Sequence, residues 1–334
     1  MKYSRISLVL FISFVFITNV YAQAIKLENI QNIEMKYIQC IVKEDKIVIH
    51  DKRETEIYIY DMNGTLLNQR KMEHNFPGNG IFQIDISDKN IHLLLLSPYA
   101  ISKQSLDLKS KDKSLVNMQT NKLKVFDFSS SVFLELSNGK YLASTLEYEY
   151  LNKFRKGNSL TIFDIKNNSN ISFSEFPKFL SNGFYFFSGK QRFISFSNNL
   201  IYSYFNGDSE IKVYNENGSQ INSIKLEKDF VPKKLYDAST KIELFRDFLS
   251  LSVEVKKNLT NLWAIDFSVN SSQNIYFVYQ NLENGYLIKE LDSNSGKILK
   301  TKEIKDYPIN PVGFVNDKYY YIFKSDGQYF LKSI

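Results

Sequence analysis

From about residue 35 onward, apolar runs of roughly four to eight residues alternate with clusters of Asn, Asp, Ser and Gly. The runs predict strands and the clusters predict tight turns. One strand–turn–strand unit recurs: Glu56–Leu67 reads Glu-Ile-Tyr-Ile-Tyr-Asp-Met-Asn-Gly-Thr-Leu-Leu, and Ser159–Asn168, Glu210–Ile221 and Leu287–Ile298 repeat its plan. Asn-Gly and other Asx-rich loops supply the positive φ angles that a tight β-turn needs. Some runs, such as Ile57-Tyr58-Ile59-Tyr60 and Tyr319-Tyr320-Tyr321-Ile322-Phe323, are apolar at every position. A sheet wetted on one side would alternate, so these strands are expected to be covered on both faces.

Spacing turns the strands into an architecture. Tyr60 and Phe163 stand about twice as far apart as Phe163 and Tyr214, a period of about 50 residues. Each recurring hairpin also follows another strand pair: Tyr37–Val42 with Lys46–His50, Arg192–Ser197 with Leu200–Tyr204, and Trp263–Ser268 with Ile275–Tyr279. Four strands in such a period form the blade of a β-propeller. Blades are expected near 35–76, 77–121, 122–180, 183–232, 258–308 and 309–334. The last holds only three strands, Val312–Val315, Tyr319–Phe323 and Tyr329–Lys332, and Ala24–Ile30 is left to supply its fourth. The expected fold is therefore an all-β, six-bladed β-propeller closed by an N-terminal strand, which leaves no open sheet edge in the ring. One stretch departs from the strand pattern. Residues 237–255 place Ile242, Leu244, Phe245, Phe248, Leu249 and Val253 close to helical spacing, with Asp237 or Ser239 as a cap, so a short helical insertion is expected there.

Composition supports the class, with 27 Phe, 22 Tyr and only 6 Pro in 334 residues. It also bears on location. Lys2 and Arg5 precede the apolar stretch Ile6–Val20, and Ala22-Gln23-Ala24 follows as a small-x-small cleavage site, with Val20-Tyr21-Ala22 fitting almost as well. Residues 1–24 read as a signal peptide and 25–334 as a single propeller domain, exported to the periplasm, the cell surface or the medium. No later segment is long and apolar enough to be an integral membrane span. The net charge of +6 falls by two when Lys2 and Arg5 are removed, and no Lys/Arg block stands out, which argues against nucleic acid. The lone Cys40 lies in an apolar run and is expected to be a buried, inert thiol.

The hairpins of the Tyr60-Asp61-Met62-Asn63-Gly64 type and the loop Phe76-Pro77-Gly78-Asn79-Gly80 resemble those of exported bacterial six-bladed β-propeller proteins, a group akin to the NHL and YncE-like propellers. That group's inter-blade loop begins Gly-Pro-Gly and continues with an acidic residue; here Phe76 stands for the first Gly and Asn79-Gly80 for the acidic position. The resemblance covers most of the mature chain. It implies a fold, and it implies no activity.

The chain carries no Gly-x-Ser-x-Gly elbow, no phosphate-cradling glycine loop and no His-Glu-x-x-His pair, so no cofactor is expected. Its histidines are His50, His74 and His92, too few for a metal site built from several blades. His92 lies in the apolar run Ile91–Leu96 and is expected to be a packed or hydrogen-bonded core residue. Asp61-Met62-Asn63-Gly64 offers two oxygen side chains, fewer than a calcium loop needs, so turn chemistry accounts for it. In a four-stranded blade, the second-to-third-strand loops and the blade-to-blade loops open on one face. The loops of that face carry His50, Asp51, Arg53, His74, Glu149, Arg155, Asp208, Glu283 and Asp326, the candidate binding residues. The function expected is a non-enzymatic binding or scaffold propeller of the bacterial envelope, its partner an envelope protein or a glycan. The alternative is a hydrolase or lyase of sugars or peptides with a site at the channel mouth. Three or more carboxylate, arginine or histidine groups converging there would favour it.

Overall fold

A computed structural model describes residues 24–30, 33–43, 45–54, 56–71, 81–87, 90–96, 99–107, 111–115, 124–126, 132–136, 139–147, 157–177, 192–227, 230, 264–281, 285–306, 308–315 and 317–334. The expected signal peptide and the helical insertion at 237–255 lie outside them.

The described chain folds into six antiparallel sheets that form a six-bladed β-propeller. Blade 1 comprises Ile38–Lys43, Lys46–Asp51, Glu56–Asp61 and Leu66–Lys71 from the inside outward, and blade 2 comprises Ile81–Ile86, Asn90–Leu96, Tyr99–Ser105 and Lys111–Leu115. In blade 3 the inner edge is split. Lys124–Phe126 pairs with the far half of Lys140–Glu147, and Phe133–Glu135 with its near half. Asn158–Asp164 and Ser169–Glu175 complete that blade. Blade 4 runs from Arg192 to Lys225 and blade 5 from Ala264 to Ile304, each with four strands in chain order. Blade 6 takes Ile309–Val315, Lys318–Ser325 and Gln328–Ser333 from the C-terminus, and its outer strand, Ile25–Leu27, from the N-terminus.

Period-2 alternation explains why these apolar strands pack on both faces. In blade 1, Ile47, Ile49, Tyr58 and Tyr60 point to blade 6, while Val48, Ile57 and Ile59 point to Ile84, Ile86, Ile91 and Leu93 of blade 2. Among the described residues the core is six such clusters, one in each seam between neighbouring blades. The middle strands of a blade thus share their burial with two neighbours, so the ring has to close for the end blades to be covered.

Closure is made by backbone pairing and by packing. Ile25, Lys26 and Leu27 pair with Leu331, Phe330 and Tyr329. Leu27 is buried with Tyr60 and Ile49 of blade 1. The Tyr60 hydroxyl donates to the Glu28 carbonyl at 3.0 Å, and the Glu28 amide to the Gly64 carbonyl at 3.2 Å. Gly64 sits at φ +86°, and a Cβ there would lie 2.0 Å from the Lys26 carbonyl oxygen. Blade 5 repeats this contact: a Cβ on Gly296 would lie 2.0 Å from the Lys225 carbonyl oxygen in the outer strand of blade 4. The N-terminal strand therefore occupies the place of a regular outer strand. The turn at Gly64 is held as expected, with Asp61 Oδ1 accepting the Asn63 and Thr65 amides at 2.9 Å each.

Candidate functional site

The inner strands surround an axial cavity of about 540 Å³. Polar side chains on its wall reach sideways and bind the next blade. Gln39 Nε2 donates to the Ile84 carbonyl at 3.0 Å, joining blades 1 and 2, and Lys43 Nζ does the same at the Ile86 carbonyl, 3.0 Å. The Glu135 amide donates to Asp85 across blades 3 and 2 at 2.5 Å. Buried Arg192 of blade 4 donates to Ser159 and Ser174 of blade 3, 2.5 Å each, and stacks over Phe205 at 4.4 Å. The Val269 amide donates to Ser195 Oγ at 2.9 Å, and the Tyr319 hydroxyl to Asp266 at 2.9 Å. Asn310 Nδ2 closes the circuit on the Ile38 carbonyl at 2.7 Å. All six seams are latched in this way at the channel wall. Cys40 lies against the same cavity; its thiol is buried and free, and burial pushes its pKa up.

One sector of the wall concentrates ionisable groups. Lys43, Asp85 and Glu135 stand near the ends of their inner strands, close to the first-to-second-strand turns. Behind them lies fully buried His92. Its Nε2 is 2.8 Å from Ser87 Oγ and 2.9 Å from Glu135 Oε2, and its Nδ1 is 2.9 Å from the Tyr141 hydroxyl. His92 is thus the hydrogen-bonded core residue expected. Burial pushes the Glu135 carboxyl up, but the His92 hydrogen bond and charge outweigh it, and the net shift is downward. Burial raises the Asp85 carboxyl, against bonds from the Glu135 and Ile86 amides. In a nucleophile relay the acid holds one ring nitrogen and the attacking hydroxyl meets the other. Here Ser87 and Glu135 share Nε2, and the hydroxyl opposite the acid belongs to Tyr141, a buried core residue.

The candidate residues of the polar-loop face that the structure describes belong to three loops, of blades 1, 4 and 6. His50 is fully buried on the blade 2 side of its strand, two residues from Val48 and paired with Ile57. Among the described residues neither of its ring nitrogens has a hydrogen-bond partner, and burial, helped by the Lys52 charge, pushes its pKa down to about 3. Asp51 is buried and accepts the Arg53 amide at 2.9 Å and the Glu54 amide at 3.4 Å, which shapes its own loop. Arg53 is exposed, 3.4 Å from Glu54. Asp208 accepts the Ser209 amide at 2.8 Å, and burial pushes its carboxyl up to about 6. Asp326 is exposed at φ +49° and accepts from Ser325 at 3.3 Å. None of these five lines the cavity, although their neighbour Lys52 does. His74, Glu149, Arg155 and Glu283 lie outside the described residues. Sequence reading missed Asp85, Glu135 and Arg192. A charged residue inside an otherwise apolar inner run, as in Ile84-Asp85-Ile86 and Phe133-Leu134-Glu135, is the signal that could have found them.

No protein-family model matches the chain, and no curated protein matches it. Solved structures do. A candidate exported protein from Bacteroides fragilis superposes with a TM-score of 0.58 at 12% identity, covering 94% of each chain. A member of the duf4221 family from Bacteroides vulgatus gives 0.57 at 9% identity, covering 94% of this chain and 97% of that one. A luciferin-regenerating enzyme gives 0.53 at 10% identity, covering 93% and 95%. At such identities the likeness establishes the six-bladed fold. Neighbours on this fold include an enzyme and a candidate exported protein, so function has to be argued from the site.

Proposed function

We propose that this chain is a binding or scaffold propeller of the bacterial envelope, without chemistry of its own, and that it belongs with the NHL and YncE-like exported propellers. The observation that carries the reading is the latch ring. Gln39, Asp85 and Asp266 of the channel wall are bonded to neighbouring blades, and in the His92 cluster the hydroxyl opposite Glu135 is that of the buried Tyr141. Such a wall gives a rigid frame, and exposed Arg53 and Asp326 are available to an envelope protein or glycan on the polar-loop face. Export is tested by mass spectrometry of the protein from its host, which should find a chain beginning at Gln23 or Ile25; a chain retaining Met1–Val20 contradicts it. The binding reading is tested by cross-linking the exported chain in the intact envelope and mapping the cross-links. A partner linked through the polar-loop face, and lost in Arg53→Glu with Asp326→Lys, is the expected result. Cross-links scattered over all faces and unchanged in the double variant contradict it.

The alternative is a hydrolase or lyase of sugars or peptides. It draws on the convergence of Asp85, His92 and Glu135, two carboxylates and an imidazole at one end of the cavity. Turnover of a glycoside or peptide that falls by two or more orders of magnitude in Glu135→Gln would establish it.

A further inference from the structure

The cavity wall keeps some hydrogen-bonding capacity that the latches do not use. Gln83 of blade 2 lines the cavity and is 3% exposed, and its buried Nε2 has no hydrogen-bond partner among the described residues. An unpaired buried amide destabilises a fold, and natural sequences retain such a group where it has a use. Lys43 has three N–H donors and places one on the Ile86 carbonyl. The Glu135 carboxylate has about four acceptor sites, of which His92 and Ser87 take two. Lys43 donors on blade 1 and Glu135 acceptors on blade 3 thus line the cavity, with the buried Gln83 amide on blade 2 between them. The opposite blades present apolar surface to the same cavity. Phe196 of blade 4 stands across from Lys43, Ile265 of blade 5 across from Gln83, and Phe314 of blade 6 across from Glu135. The Phe314 ring is fixed by stacking on Tyr276 at 3.7 Å.

We infer that this cavity binds a neutral polyhydroxylated ligand, a sugar of one or two rings. Each hydroxyl of a sugar both donates and accepts, which matches an amide and an ammonium beside a carboxylate. The C–H face of a pyranose is apolar and matches Phe314 and Phe196. The charged groups of the lining balance, Lys43, Lys52 and Arg192 against Asp85, Glu135 and Asp266, so the wall carries little net charge to recruit an ion. The volume falls within the range of small-ligand sites. This inference rests on the reading of the chain as a binding propeller and names the ligand class of its channel.

The test is calorimetric titration of the mature chain with glucose, N-acetylglucosamine and cellobiose, with glycine and acetate as charged probes. The expected result is binding of at least one sugar, weakened about tenfold in Gln83→Leu by the lost hydrogen bond. The same variant should melt at or above the parent temperature, because a purely structural amide would lower it. Phe314→Leu is the second variant and should weaken the same sugar with little effect on melting. Binding of no sugar, binding of the charged probes alone, or unchanged sugar affinity in both variants overturns the inference. The two readings fail separately. Silence to every sugar with the envelope cross-links intact removes the ligand class and leaves the binding reading. Sugar cleavage that depends on Glu135 removes the binding reading and leaves the site.

Discussion

The ring of His50 is held in an apolar seam with no partner for either nitrogen among the described residues, and this gives it a pH signature. Its pKa falls from 6.5 to about 3 through burial and then the Lys52 charge. Between those values the unfolded chain takes up a proton that the native state refuses. Stability is therefore present above pH 6.5 and lost as pH falls, by about 1.4 kcal/mol per unit in that window. His50→Leu should flatten the decline of melting temperature between pH 6.5 and 4 and leave stability at pH 7.5 equal or higher; an unchanged slope contradicts this. Asp208 has the opposite sign. Burial raises its folded pKa to about 6, so its contribution is fully present below the unfolded value near 3.8 and is lost as pH rises through 6. Asp208→Asn should gain stability relative to the parent at pH 7.5 and not at pH 4, measured by the same melts. The sequence shows that His50 ends a strand. It does not show which seam the strand faces, because burial on both faces erases the alternation that would tell.

At the scale of elements, the turns were the most legible part. Asx-Gly chemistry is local, and Asp61, Gly64, Asn215 and Gly218 form the hairpins their spacing predicts. Gly64 also shows what local chemistry leaves out, since the Lys26 carbonyl that crowds it lies on a strand far away in sequence. Gly64→Ala combines a positive φ with that collision and should cost on the order of 1–3 kcal/mol, read as a lower melting temperature. Gly327→Ala is the control. It has a positive φ with nothing within 4 Å, and should cost less. The outer strands carry a second device that periodicity hid. Register shifts in blades 1, 4 and 5 leave Leu67, Ile221 and Leu299 as extra residues, each more than half exposed. A bulge and nearby lysines keep such an edge from pairing with another chain. Replacing Lys300 and Lys302 of blade 5 by Val should raise aggregation without lowering the melting temperature, as seen by light scattering. The short inner strand of blade 3 was the least legible element. Phe133–Glu135 has three residues, and its pairing is set by Lys140–Glu147 rather than by any pattern of its own.

At the scale of the molecule, six blades and their closure were readable by counting, because five full units and a three-strand remainder leave one strand to be found. The latches around the channel were not, since Gln39, Asp85, Arg192 and Asn310 act only once the blades stand side by side. Closure is the condition for all of it. Without Ile25–Leu27 the strand Gln328–Ser333 becomes an open edge, and the seam holding Tyr60 and Leu331 is uncovered. Native-state hydrogen exchange, read at residues 25–27 and 329–331, tests the closed ring most directly. The account predicts slow exchange at 329–331, matching Ile211–Val213 inside blade 4, and at the ladder-bonded amides of 25–27, matching those of the outer strand Gln220–Lys225. Fast exchange at 25–27, with 329–331 exchanging as an unpaired edge, would contradict it.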